Sequence, residues 1–286
     1  MWNYRENILL KRLWHTIRKR NIKKQHRRVA SYWTPLLDRY FAGTIPVERV
    51  IAHKTFDSER IIWQYWGQGI QSDTLPEVVR LCFASVDKYK GDYQVIRLDD
   101  STIADYLGFP QYFISKFKEG IISKTFFSDV LRLALLYCYG GVWMDATILL
   151  TSENWKERAF EDYFVFQRDG QESDKDYWEH SYAYYWGWYD GFLVKLLNSI
   201  IYAHSGSEVM GDLLQLMLYY WKNNDSAKDY FFLQILYELY IMRKDKRCAV
   251  VSDVVPNLLQ TKLNGGSIGL DYEAILQQTP IHKMSY

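Results

Sequence analysis

Residues Phe127 to Leu150 read FSDVLRLALLYCYGGVWMDATILL and carry two different periods with a break between them. Phe127, Val130, Leu131, Ala134, Leu135 and Cys138 recur at i, i+3, i+4, i+7, i+8 and i+11, the period of a helix with one buried face. Gly140-Gly141 should stop that helix, because glycine enters the left-handed conformation without a Cβ penalty. Val142-Trp143-Met144 then predicts a short buried strand that delivers Asp145 to its end. In open α/β sheets, strand ends are where ligands bind. Ala146-Thr147 separate this acid from an apolar run that resumes at Ile148.

Asp129 and Arg132 lie three apart, so they share one edge of the predicted helix and can reach one ligand. A carboxylate at a strand end, with an Asp and an Arg on the preceding helix, suits a sugar nucleotide. Its diphosphate calls for a divalent cation, which takes oxygen ligands such as carboxylate and water. Its ribose diol calls for an acceptor such as Asp129, and the Arg132 fork can bind sugar hydroxyls or a phosphate oxygen. Each piece also has a plain structural reading: Asp129 with Arg132 as an ordinary ion pair, Asp145 as the cap of a turn. Their order along the chain favours a site.

These residues resemble the sugar-binding region of the capsular polysaccharide synthesis family, relatives of the family 32 glycosyltransferases that carry a DxD motif. The shared pattern is Ser128-Asp129-Val130-Leu131-Arg132 followed by Gly140-Gly141-Val142-Trp143-Met144-Asp145, and the likeness extends from about Ile61 to the C-terminus. The resemblance implies a GT-A-like α/β fold and hexose transfer from a nucleotide sugar, UDP-linked and with retention, to a glycan or lipid-linked glycan acceptor. It implies catalytic roles for Asp145 and Arg132, and donor contacts from Asp129, Arg132, Trp143 and an aromatic at the first strand, Trp66 or Trp63. It also implies a divalent cation, Mn²⁺ or Mg²⁺, on Asp145, Thr147 and the late His282. Many relatives carry a second Asp where this chain has Thr147. A metal-independent transferase and a non-catalytic assembly subunit are therefore the alternatives.

Outward from the block, Ile61 to Trp66 predicts the first buried strand, and Asp73-Thr74-Leu75-Pro76 opens a helix with Val79, Cys82, Phe83 and Val86 on its face. Tyr93 to Leu98 predicts a second strand ended by Asp99-Asp100, an acid pair that can cap a helix starting at Ser101. Strand, helix, strand and helix argue for an α/β layer fold. Phe164-Val165-Phe166 predicts another strand, and helices are expected over Leu193 to Ala203, Met210 to Trp221 and Tyr230 to Arg243. No G-x-G-x-x-G or G-x-x-x-x-G-K occurs, so a dinucleotide-binding dehydrogenase or a P-loop NTPase has no footing.

Among 286 residues, 48% are apolar, ample for a core. Cys82, Cys138 and Cys248 are far apart without a C-x-x-C pair, which fits a reducing cytoplasm and excludes a disulfide framework. No apolar run approaches a membrane span, and no signal peptide is expected. The net charge of +1 hides an asymmetry, since residues 1–30 hold ten Lys or Arg against Glu6 alone, +9, and the rest carries −8. Leu10, Leu13, Trp14 and Ile17 form an apolar stripe on this basic segment, the pattern either of a helix that lies on anionic lipid at the inner face of a membrane or of a surface helix packed on its own domain or a frayed basic arm. Nucleic acid, the other partner of a basic run, lacks any supporting motif. Residues 1–55 are expected as a helical appendage, with Pro35 starting a fresh helix, and residues 56–286 as the GT-A-like domain.

Overall fold

A computed structural model describes residues 4–71, 73, 75–156 and 158–285; Thr74 of the expected helix start and the side chains of residues 4–12, Leu10 among them, lie outside the described residues. The chain divides into two compact units. The larger comprises residues 45–169, 196–226 and 246–286, and the smaller residues 1–44, 170–195 and 227–245.

The larger unit is built on a five-stranded mixed sheet. Strands β2 (Ile61–Tyr65), β3 (Gln94–Leu98) and β5 (Gly141–Met144) run parallel, with β2 in the middle. β8 (Leu196–Ala203) lies antiparallel to β5, and β7 (Tyr163–Gln167) closes the edge antiparallel to β8. Two small ribbons flank the sheet: β1 (Ile51–Ala52) with β4 (Leu107–Gly108), and β6 (Ile148–Leu150) with β9 (Ile281–Lys283). The sheet confirms the α/β expectation. The first strands, the helix α2 (Glu77–Tyr89) with its buried Val79, Cys82, Phe83 and Val86, and the strand at Phe164 all stand where the residue pattern put them.

Helix α4 (Lys124–Tyr139) is buried more completely than its period suggested. Leu133 and Leu136 are as buried as Val130 and Leu131, while Tyr137 is exposed. The sheet covers one side and α6 (Glu208–Asn223) the other, so the helix has almost no solvent face. Gly140 ends it at φ +67° and donates its N–H to Leu136 O at 2.8 Å. The short α3 (Gln111–Lys118) precedes it, and α8 (Leu258–Leu263) and α9 (Tyr272–Gln278) follow near the C-terminus.

The expected helix over Leu193 to Ala203 is the strand β8. Its run LLNSIIYA is buried almost throughout between β5 and β7, and a strand covered on both faces reads as a continuous apolar run that periodicity cannot tell from a buried helix.

In the smaller unit, α1 (Tyr4–Phe41) continues through Pro35 instead of restarting there. Val29, Trp33, Leu36 and Leu37 are buried, and Trp33 packs on Phe232 of α7 (Phe232–Lys244) with ring centroids 4.4 Å apart. That packing holds together a helix that a Pro would otherwise break. The unit thus draws the N-terminal helix together with two later segments, one carrying α5 (Lys175–Ser181) and the other α7.

Two features set the stability of the units. Arg168 donates from Nε and a terminal nitrogen to the two carboxylate oxygens of Asp253, both at 3.0 Å, and the pair is almost fully buried. Removal of one partner strands a buried charge, so Asp253→Ala should cost about 3–5 kcal/mol, read as the drop in the urea midpoint. His26 accepts the Leu193 N–H at Nδ1 in the smaller unit, and burial lowers its pKa to about 4; His282 in the larger unit is likewise lowered to about 4 by burial. The unfolded chain binds these protons near pH 6.5 and the folded one only near pH 4. Stability should therefore be complete above pH 6.5 and fall as the pH drops toward 4, by at most about 3 kcal/mol for each histidine. His26→Gln and His282→Gln together should flatten the urea midpoint between pH 6.5 and 5; an unchanged slope would reject this assignment.

Candidate active site

The parallel strands β2, β3 and β5 bring their C-terminal ends to one edge of the sheet, and the side chains of interest gather there. Asp145 follows β5 directly, with its backbone N–H held by Ser199 O at 2.8 Å and its C=O accepting from Ile148 N at 2.9 Å. Strand alternation places Trp143 and Asp145 on the same face. The Trp143 indole N–H accordingly donates to Asp145 Oδ1 at 2.8 Å. Trp143 itself is buried, and the Arg132 guanidinium lies over its ring, 5.1 Å from the centroid. Trp143 therefore aims the carboxylate and the arginine from beneath.

Arg132 joins three acceptors. It pairs with Asp129 Oδ1, donates to Ser128 Oγ at 3.2 Å, and lies 3.5 Å from Asp145 Oδ1. Its Nε is buried with no partner among the described residues. Asp129 also accepts from Asn198 Nδ2 at 3.1 Å. Burial pushes the Asp129 carboxyl up to about 6, against the pull of Arg132 and with a further push from the Asp145 charge. At neutral pH it is ionised and committed to Arg132 and Asn198.

The two aromatic candidates separate. Trp63 is a core residue: it is fully buried, its indole N–H donates to Gly140 O at 2.9 Å, and its ring packs on Tyr139 and Phe56. It pins β2 to the end of α4 and has no face for a base. Trp66 stands just past the end of β2, partly exposed, against the cluster of Val79, Phe83 and Ala146. Ala146 adjoins Asp145, so Trp66 borders the same turn.

Thr147 and His282 do not form a ligand set with Asp145. Thr147 Oγ1 accepts from Lys283 Nζ at 2.5 Å. His282 is fully buried, faces Thr151 with Nε2 3.3 Å from its hydroxyl, and leaves Nδ1 without a partner. Adjacent residues of a strand point to opposite faces, and in β9 Lys283 takes the side of Asp145, with Nζ 4.0 Å from Oδ2. Among the described residues no three His, Cys, Asp or Glu side chains cluster as a cation site. The structure thus turns Thr147 to Lys283 and His282 to Thr151, and does not gather the two around Asp145 as one ligand set.

Asn198 and Lys283 are site residues that the sequence reading missed. Asn198 had no local signal, because β8 was expected as a helix. Lys283 had one: strand alternation in Ile281-His282-Lys283 allows only one of His and Lys to face the acid. Of the nearby acids, Asp99 accepts from Ser101 and Thr102 across a turn where a helix start was expected, and Asp100 is held by Lys124 at 2.6 Å and the Tyr65 hydroxyl at 2.5 Å. An open cleft of about 450 Å³ lined by Thr55, Arg60, Asp92 and Gln94 lies at the opposite ends of β2 and β3, away from these groups.

No curated protein matches the sequence. A solved structure, the PaToxG glycosyltransferase, is distantly similar, with a TM-score of 0.40 and 14% identity over 90% of this chain and 88% of its own. The model of the capsular polysaccharide synthesis protein family matches residues 12–286. With Asp129, Arg132 and Asp145 converging at one edge of an α/β sheet, this chain belongs to the capsular polysaccharide synthesis protein family.

Proposed function

We propose that the chain is a glycosyltransferase that moves a hexose from a nucleotide sugar, UDP-linked and with retention, onto an acceptor glycan of a capsule or another surface polysaccharide. The observation that carries this reading is the convergence of Asp129, Arg132 and Asp145 over Trp143 at the C-terminal edge of the parallel strands, in a chain of this family. In the transfer, the bond from the anomeric carbon to the diphosphate breaks and its electron pair leaves with the diphosphate. The acceptor hydroxyl oxygen bonds to that carbon and gives its proton to the departing diphosphate oxygen. Charge develops on the leaving diphosphate, so preorganised donors there lower the barrier. Arg132, fixed by Asp129 and stacked on Trp143, is such a donor. Asp145, fixed by the Trp143 N–H, orients the sugar hydroxyls, and Trp66 offers a partly open ring to the base.

Asp145→Asn keeps the shape and the Trp143 contact but removes the charge. Sugar transfer, followed as nucleotide release across a panel of nucleotide sugars, should fall by about 10²–10³-fold with the melting temperature little changed. Full turnover in that variant would remove Asp145 from the reaction, and unchanged glycan synthesis in a cell that depends on the variant, with no turnover by the purified protein, would favour the assembly-subunit reading instead.

An anionic membrane surface is the proposed site of action. Leu13, Trp14 and Ile17 are exposed on α1, and the same helical face continues through the exposed Arg20, Lys24 and Arg27 at i+3, i+7 and i+10 from Ile17. Apolar insertion beside a basic ridge matches an anionic bilayer, each cation adding about 1 kcal/mol. No helix among the described residues is long and apolar enough to cross a membrane. Sedimentation with phosphatidylserine vesicles should retain the protein, release it at high salt, and fail after Trp14→Ser with Ile17→Ser. Equal binding to neutral phosphatidylcholine vesicles would reject the charge component.

A further inference from the structure

Lys283 is the cation that the fold itself brings to Asp145. Three features place it. β9 pairs antiparallel with β6, setting Lys283 opposite Ile148, one residue past the Asp145-Ala146-Thr147 turn. The Met284 N–H donates to Thr147 O at 2.8 Å, locking the two backbones beside that turn. The ammonium donates to Thr147 Oγ1 at 2.5 Å and to Met284 O at 3.1 Å. An ammonium has three protons, and among the described residues the third meets no acceptor within hydrogen-bond length, Asp145 Oδ2 being 4.0 Å away. The side chain keeps a quarter of its surface open, so a ligand can reach it.

Thr147 matters here because it is neutral. A second carboxylate at that position would neutralise an ammonium 2.5 Å away and supply a hard ligand to a dication; a hydroxyl does neither, and leaves the ammonium's charge available. His282, the other implied ligand, is sealed against Thr151.

Resting on the reading that this site holds a nucleoside diphosphate, we propose that Lys283, with Arg132, binds the diphosphate in place of a divalent cation. The third ammonium proton meets a phosphate oxygen, and Arg132, 3.5 Å from Asp145 Oδ1, meets the same group from the α4 side. Thr147 then serves as the acceptor that aims the lysine.

The test is calorimetric titration of the intact protein with UDP, GDP, ADP and CDP, and with the matching nucleosides, in EDTA and in Mn²⁺. The expected result is binding of one diphosphate with the same affinity in both conditions. Lys283→Ala should weaken that diphosphate by about ten- to a hundredfold and leave the nucleoside unchanged, a split that a merely structural role would not produce. Lys283→Arg should recover most of the loss. Diphosphate binding that appears only with Mn²⁺, or that is unaltered in folded Lys283→Ala, would overturn the role of Lys283 and leave the nucleotide-sugar reading standing. If Lys283→Ala does not fold, the EDTA and Mn²⁺ comparison on the unaltered protein decides alone. Absence of binding to every diphosphate in both conditions would overturn both readings.

Discussion

A Cβ at position 141 would stand 2.5 Å from the carbonyl oxygen of Ile61, closer than side-chain carbons approach a backbone. The site depends on that contact. With Gly140 at φ +67° and Gly141 at φ +96°, α4 turns into β5 with no intervening loop, and β5 lies directly against β2. Only a sharp reversal of this kind lets residues on the preceding helix, Asp129 and Arg132, face the acid that ends the following strand. A longer connection would let the helix slide along the sheet, and the 3.5 Å approach of Arg132 to Asp145 would be lost.

The polar groups assembled by this turn are buried at a cost that packing must offset. Asp129 and Arg132 are both nearly inaccessible, and desolvation is the largest influence on the Asp129 carboxyl, moving it to about 6. A buried pair of this kind adds little to stability against an apolar alternative, and it is costly to half-remove. Its evident use is orientation: Asp129, itself held by Asn198, fixes one side of the guanidinium, Trp143 carries its face, and Nε, with no partner among the described residues, leaves donor capacity unspent. Trp143 has the same standing toward Asp145. Both carboxylates are aimed by groups that never have to move.

Much of this is legible in the residues alone. The buried stripe of α4, its glycine stop and the strand that follows are local events, written in period and in residue type. The edge-wise sharing of Asp129 and Arg132 followed from helical spacing alone. The misreadings are non-local. β8 looked like a helix because a strand covered on both faces has no alternation to display, and with β8 went Asn198, whose role exists only through pairing with β5. Pro35 looked like a boundary because the packing of Trp33 and its neighbours against α7 spans two hundred residues. Trp63 and Trp66 have the same composition cue; only the sheet tells which one is sealed by Gly140 O and Tyr139 and which one stands at the rim.

The C-terminal segment shows how a resemblance and a geometry can differ by one residue. Ile281-His282-Lys283 runs beside the Asp145 turn, and the resemblance points to its histidine, because imidazole is the familiar metal ligand. Pairing with β6 puts alternate side chains on opposite faces, so a strand that points Lys283 at Thr147 must point His282 the other way, into the core beside Thr151. Burial then holds that imidazole neutral, which suits a core residue as well as a ligand and distinguishes neither. What distinguishes them is the partner each one meets: a hydroxyl in the interior for His282, and an acid with a threonine at the open edge for Lys283. The threonine at position 147 and the lysine placed against it are therefore one structural fact, a cation and an uncharged acceptor matched across two strands.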